Sequence, residues 1–276
     1  MDFLYFLKAA ILGIVEGLTE FLPVSSTGHL ILAGHALDFN GAEADTFYIA
    51  IQAGAIVAVC WHYRVRILSI LRNLFKPGAD QRLAVNTVVA FLPAAVLGVM
   101  VSSVIKTYLF NVYTVAAALV AGGLIILWVE RFNERRGRAP RVATMDDMTW
   151  KDALGVGCMQ CFALIPGTSR SGATIIGSLV LGLSRTAATE FSFFLAIPTI
   201  FGATVYDLYK SRDVLSMDNL PGIGVGFVVS FLSAIVVVRW LLRYVSKNDF
   251  RIFGWYRIVF GLVILAAGAA GLSQSV

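Results

Sequence analysis

The chain has 276 residues, 58% of them apolar and 14% charged, with a formal net charge of +5. Its mean hydropathy of +0.79 excludes a water-soluble globule, in which about a quarter of residues are charged, and makes lipid the solvent. The net charge carries little meaning until the basic residues are placed along the chain, and no nucleic-acid partner is expected.

In chain order, residues 3–22 form an apolar stretch with Lys8, Glu16 and Glu20 inside it, preceded by Asp2. It lacks a small-residue cleavage site and reads as a retained membrane segment rather than a secretory signal. The stretch breaks at Pro23-Val24-Ser25-Ser26-Thr27-Gly28-His29, and the apolar run that follows, Leu30 to Leu37, is too short to cross. Three spans follow at about 44–62, 83–105 and 112–130, each near the roughly 20 residues a bilayer requires. A second broken stretch runs from 152 to 165, breaks at Pro166-Gly167-Thr168-Ser169-Arg170-Ser171-Gly172 and ends near Leu183. Three more spans fall at about 187–209, 220–242 and 252–271, with Pro93 and Pro198 as expected kinks. Irregular backbone at membrane depth is tolerated only inside protein or along a wet cavity, so each broken stretch predicts a re-entrant helix–loop–helix hairpin. Cys60, Cys158 and Cys161 are too few for a disulfide framework and read as packing residues.

The charges test this parity. With six spans and two re-entrant hairpins, the basic segments 62–82, 130–151 and 239–257 fall on one face together with Arg185. Arg257 is counted among them. Lys8, Lys106, Lys210 and Arg212 fall on the other face beside Asp38, Glu43, Asp45, Asp213 and Asp218. The positive-inside rule then puts both termini outside the cytoplasm.

The two broken stretches also match at an offset of 143: Lys8 with Lys151, Ala10 with Ala153, Pro23 with Pro166 and Ser26 with Ser169, while Phe91-Leu92 recurs as Phe231-Leu232. The expected fold is therefore an all-α integral membrane protein of six transmembrane helices plus two re-entrant hairpins in an inverted-topology repeat. It forms one membrane domain over 1–276. Residues 1–142 are the first repeat, with its hairpin at about 3–37, and 143–276 are the second, with its hairpin at about 152–183.

Ionisable residues in apolar membrane segments cost about 2.5–3.5 kcal/mol each and mark functional candidates. Glu16 and Glu20 stand one helical turn apart on one face. They are either a polar lining sharing a proton, or oxygen ligands for Mg²⁺ or Ca²⁺ bridging to phosphate. Ser25, Ser26 and Thr27 either cap the short helix or bring a hydroxyl nucleophile, Ser26, near an imidazole base, His29. Arg170 is the one arginine predicted at membrane depth. It is either a salt-bridge partner of Glu16 or Glu20, or a bidentate phosphate ligand. Thr168, Ser169, Ser171 and Gly172 surround it at the start of the second short helix, whose N-terminus, like the first, favours an anion. Together these groups suit a diphosphate. Gln160 either faces the site or packs between helices, Glu190 either faces the cavity or, the favoured reading, is a snorkelling or ion-paired carboxylate, and His35 and His62 read as interfacial.

The segments Glu16-Gly17-Leu18-Thr19-Glu20-Phe21-Leu22-Pro23-Val24-Ser25-Ser26-Thr27-Gly28-His29 and Ile165-Pro166-Gly167-Thr168-Ser169-Arg170-Ser171-Gly172-Ala173-Thr174 closely resemble the two signature regions of the bacterial undecaprenyl-diphosphate phosphatase, or bacitracin-resistance, family. The resemblance extends over nearly the whole chain. It implies hydrolysis of the C55 polyprenyl diphosphate to the monophosphate, which recycles the carrier for peptidoglycan and confers bacitracin resistance. It also implies a divalent cation, Mg²⁺ or Ca²⁺, and a bacterial inner-membrane location with the site opening to the periplasmic side. By position, Glu16 and Glu20 match the family's acidic pair, Ser26 and His29 its catalytic pair, and Arg170 its phosphate-binding arginine. Ser26 attacking phosphorus with His29 as base, and His29 activating water directly, both stay open. The repeat alone also admits a transporter or flippase of the lipid phosphate, and a homodimer is left open.

Overall fold

A computed structural model of the chain describes residues 3–39, 42–137, 139–210 and 220–269. Among these the protein is all helix apart from one isolated bridge between Val142 and Leu183. The first hairpin pairs α1 (Phe3–Thr19) with α2 (Ser26–Ala36), and α3 (Ala42–His62), α4 (Arg64–Asn73), α5 (Ala79–Tyr108) and α6 (Val112–Arg136) follow. The second hairpin pairs α7 (Trp150–Gln160), extended by a 3₁₀ turn at Cys161–Leu164, with α8 (Arg170–Val180). It is followed by α9 (Arg185–Lys210), α10 (Leu220–Val245) and α11 (Arg251–Ala269).

Five helices, α5, α6, α9, α10 and α11, contain stretches long and apolar enough to cross a membrane. Thr46–His62 and Arg64–Asn73, bent by 74° at a short break, are long and apolar enough only as a pair, a broken sixth span or a re-entrant element. The four short hairpin limbs do not reach that length, and the five spans and this bent pair fall where the sequence placed the six. Lipid accounts for apolar surface that water would not tolerate. Along α5, Val85, Val88, Leu92, Val96 and Val99 are all exposed in one stripe at helical spacing. Pro93 and Pro198 lie inside α5 and α9 as expected.

Each hairpin rests on a span of the opposite half, α1 along α10 and α7 along α5, while α6 and α11 pack together. Close approach requires residues without a Cβ. At Gly17 a Cβ would stand 2.4 Å from the Ser230 carbonyl oxygen of α10. At Gly157 it would stand 2.4 Å from that of Ala90 in α5.

One end of the bundle gathers the basic segments and satisfies them. Arg66 pairs with Asp80 at 3.1 Å and also with Asp146. Arg185 pairs with Glu130 at 2.5 Å, while Arg141 pairs with Asp152 and Arg251 with Glu134. These links join segments 62–82, 130–151 and 239–257, so they share a face with Arg185. Glu190 is half-buried toward the same end, within the field of Arg66. Asp2, Arg138, Arg212, Asp213 and Asp218, and the side chains of Glu43, Asp45, Lys106 and Lys210, lie outside the described residues.

Arg257 corrects the sequence reading. It lies not on the basic face but one and a half turns into α11, with 1% of its surface exposed.

Candidate active site

Each hairpin breaks at a proline and restarts at a serine forced into the left-handed region. Ser25 has φ 71° and Ser169 has φ 73°, and each immediately precedes an 11-residue helix. For a residue with a Cβ this conformation costs on the order of 1–3 kcal/mol and persists only where the surroundings impose it. The match of these two residues shifts the comparison of the two hairpins by one residue. The prolines align at an offset of 143, but the helix starts align at 144, because Gly167, at φ 90°, adds a residue to the second loop. Ser26 therefore corresponds in place not to Ser169 but to Arg170, and the two lead the facing short helices.

Those two residues meet at Glu20. The Ser26 hydroxyl donates to Glu20 Oε2 at 2.5 Å, and Arg170 Nη2 donates to Glu20 Oε1 at 3.1 Å. Arg170 also donates from Nη1 to the Ser192 carbonyl at 3.1 Å, and its guanidinium lies 5.7 Å over the Phe21 ring. The salt-bridge reading of Arg170 is thus realised with Glu20, and a chain of hydroxyl, carboxylate and guanidinium crosses from one hairpin to the other. Ser171 fastens the tips further by donating to the Leu22 carbonyl at 2.8 Å.

Glu16 lies one turn back on α1, 1% exposed, and neither carboxylate oxygen has a hydrogen-bond partner. A bare buried carboxylate is untenable, so Glu16 requires a proton or a cation. No cluster of three or more acidic, histidine or cysteine side chains suited to a metal occurs among the described residues. Two carboxylates do fit the way Mg²⁺ is commonly held, with the remaining positions filled by water and phosphate oxygens.

The expected pairing of Ser26 with His29 is not present. Both lie on α2, but His29 turns away from Ser26. Its Nδ1 is 2.7 Å from the Ser25 carbonyl oxygen and its Nε2 is 2.6 Å from the Tyr256 hydroxyl. Helix spacing brought the residues near one another, and the α11 side chains set the ring's rotation.

The other candidates sort by their contacts. Ser169 Oγ accepts the Gly172 amide at 3.0 Å and lies 3.0 Å from Ser171 Oγ, so the first turn of α8 is already capped. Ser25 forms no such side-chain cap, which leaves the α2 terminus as the one open to an anion. Thr27 is half-buried on α2, and Thr168 contributes its carbonyl to Arg257. Gln160 is buried, accepts from Thr199 at 3.3 Å and leaves Nε2 without a partner. His35 and His62 occupy the last turns of α2 and α3. The three cysteines are free thiols.

The residue the sequence reading missed as a site component is Arg257. Its guanidinium donates to five backbone carbonyls. Nε reaches Leu119 at 3.3 Å, Nη1 reaches Pro23 at 3.1 Å and Thr168 at 2.9 Å, and Nη2 reaches Ala118 at 3.0 Å and Gly167 at 3.1 Å. All of its donors are used, and both loop tips hang from one side chain. Its place six residues beyond Arg251, inside an apolar run, was the available signal.

The apolar spans define a polytopic membrane protein, in which two hairpin tips bring together two buried carboxylates, the half-buried Arg170 and the buried Arg257. Residues 9–263 match the model of the family described as bacitracin resistance protein BacA, and the chain belongs to that family. It is 58% identical over 272 residues to a protein of Nitrosomonas europaea named undecaprenyl-diphosphatase, covering 99% of this chain and 98% of the relative. Proteins of the same name from Cupriavidus metallidurans and Herminiimonas arsenicoxydans are 55% and 58% identical over 288 and 271 residues. These cover 99% and 98% of this chain, and 98% of each relative.

Proposed function

We propose that this chain is an undecaprenyl-diphosphate phosphatase, releasing inorganic phosphate from the lipid diphosphate and leaving the monophosphate carrier. The observation that carries the reading is the Ser26–Glu20–Arg170 chain joining the two hairpin tips. A hydroxyl hydrogen-bonded to a carboxylate beside a guanidinium suits phosphoryl transfer. It has no evident use in a carrier that only moves lipid.

In the proposed course, Ser26 Oγ attacks the terminal phosphorus and its proton passes to Glu20. The bond to the bridging oxygen breaks, and undecaprenyl phosphate leaves. Water, deprotonated at His29, then displaces Ser26 from phosphorus. Oγ recovers its proton from Glu20, His29 gives the proton it took from water to the phosphate, and phosphate departs. Arg170 stands where charge develops on the transferring oxygens, and the uncapped α2 terminus adds its dipole. Glu20 thus takes the role that spacing alone assigned to His29, and His29 serves the water step.

Glu16, with Glu20, is the proposed holder of Mg²⁺ or Ca²⁺. Two carboxylates offset the charges of Arg170 and Arg257, so an arriving diphosphate brings uncompensated negative charge. A divalent cation supplies the balance and polarises the phosphoryl oxygens. The basic face is assigned to the cytoplasm of a bacterial inner membrane by the positive-inside rule, with the chamber opening toward the opposite side.

The test is phosphate release from undecaprenyl diphosphate by purified protein, with and without chelator, for wild type, Glu20→Gln and Arg170→Ala. Release by wild type, with loss of at least a hundredfold in each variant, supports the reading. Folded wild type that releases no phosphate overturns it and returns the transport alternative.

A further inference from the structure

His29 is held on three sides, and two of them come from α11 of the opposite half. The Phe260 ring stacks on the imidazole with centroids 4.0 Å apart and planes 14° from parallel. The Tyr256 ring is stacked nearly parallel to it, at 5° and 5.6 Å between centroids, and its hydroxyl is 2.6 Å from Nε2. On the third side Nδ1 faces the Ser25 carbonyl at 2.7 Å. A carbonyl can only accept, so Nδ1 carries the hydrogen. In the neutral ring Nε2 is then a bare acceptor, and Tyr256 donates to it. The charged group that approaches the ring is Arg257, also on α11. Its five donors are committed to carbonyls, so it cannot take Tyr256's place.

We propose that Tyr256 positions His29 and relays the water proton to it. Its hydroxyl fixes the ring across the joint between α2 and α11, and because it occupies the one lone pair of Nε2, the phenol gives its proton to Nε2 as its own oxygen takes one from water. This deepens the phosphatase reading and rests on it for its catalytic consequence. Tyr256 is partly exposed beside a half-buried His29. The seam between α2 and α11 is therefore where a polar group can reach Nε2, and the phenol oxygen marks that position. With Ser26 bound to Glu20, Tyr256 is the side chain that engages Nε2, while the Phe260 ring and the Ser25 carbonyl hold the rest of the imidazole.

The chain has three histidines, so a His35→Gln/His62→Gln background leaves His29 alone for nitrogen-15 NMR of the purified protein. In that background Nδ1 is expected to carry the proton and Nε2 to be a hydrogen-bonded acceptor. Tyr256→Phe keeps the ring stack and the fold, and moves the Nε2 resonance toward an unbonded acceptor. With undecaprenyl diphosphate, kcat then falls about tenfold, the rate equivalent of one net hydrogen bond, while KM holds. Tyr256→Leu, which also removes the ring, lowers kcat further. An unmoved Nε2 resonance overturns the proposal, and so does a moved resonance with unchanged kcat. If wild type hydrolyses no undecaprenyl diphosphate, the phosphatase reading fails instead, and the resonance still reports whether the bond exists.

Discussion

Replacing Arg257 with lysine keeps the buried charge and removes geometry alone. Arginine spreads five donors over three nitrogens to reach five carbonyls on three segments, the Pro23 tip, the Gly167–Thr168 tip and Ala118–Leu119 of α6. Lysine offers three donors on one nitrogen. At least two carbonyls must therefore lose the guanidinium, and since one nitrogen cannot span α6 and both loop tips, at least one of the non-helical carbonyls of Pro23, Gly167 and Thr168 is left without a partner. A buried unsatisfied group costs about 1–3 kcal/mol, which lowers the melting temperature by on the order of 5 °C. The tips would also lose their common anchor, and displacement of reacting groups by about 1 Å costs on the order of a hundredfold in rate. Thermal unfolding in detergent and phosphate release below the new melting point read the two effects separately. A companion variant leaves the arginine in place. In Gly122→Ala the new Cβ would stand 2.2 Å from Arg257 Nη2 and 2.7 Å from Cζ, which displaces the guanidinium. If Arg257→Lys melts with wild type and turns over at the wild-type rate, the idea that one side chain registers both tips is wrong.

Three further outcomes follow from the site and its supports. Ser26→Ala removes the donor to Glu20 while leaving the Arg170–Glu20 pair; turnover should fall by at least about a hundredfold, and a phosphoenzyme trapped by acid quench from wild type should vanish. Retained turnover would return the role of nucleophile to water. Chelator should abolish activity and Mg²⁺ or Ca²⁺ restore it, and Glu16→Gln, which gives the unpartnered buried carboxylate a neutral form, should need at least about tenfold more cation for half-maximal rate. An unchanged cation titration would assign Glu16 a proton instead. At the basic face, burial alone would raise the Asp152 carboxyl, but hydrogen bonds from Arg141 and then Thr149 outweigh it and hold its pKa below the ordinary value. A depressed folded pKa contributes stability above the unfolded value of about 4 and loses it as pH falls through the folded one. Asp152→Asn should therefore melt lower than wild type at neutral pH and converge with it in acid, and a pH-independent difference would remove the charge argument.

The fold was legible where a single physical rule decided it. Span length, the prolines at 23 and 166 and the clustering of basic residues each depend on local sequence, and the helices fall where those signals placed them. The register within the repeat was not legible. Ser26 and Ser169 are identical and both follow a proline, but a residue added at Gly167 moves the helix start, and an added left-handed residue leaves no periodic trace. The Ser26–His29 pairing failed for a related reason. Three-residue spacing puts two side chains on one helix face, but the direction of an imidazole depends on its partners. Those partners, Tyr256 and Phe260, stand more than two hundred residues away in the chain.

Arg257 and Arg170 show why composition alone could not separate an anchor from a ligand. Both are arginines at membrane depth beside the same two loops. Arg170 spends donors on one carboxylate and one carbonyl, and its Nε is buried without a partner, so it has capacity left for phosphate. Arg257 has spent all five on backbone and has none. Three of the carbonyls that exhaust it, those of Pro23, Gly167 and Thr168, belong to loops whose helices have ended, the one kind of backbone that lipid cannot satisfy. A re-entrant tip creates orphan carbonyls, and two tips meeting supply three of them, which with two carbonyls of α6 hold a guanidinium without any carboxylate. The buried positive charge that results lies beside the place proposed for the diphosphate. The device that closes the fold therefore also supplies one of the two positive charges that Glu16 and Glu20 offset, while Arg170, with donors to spare, is the one proposed to meet the anion.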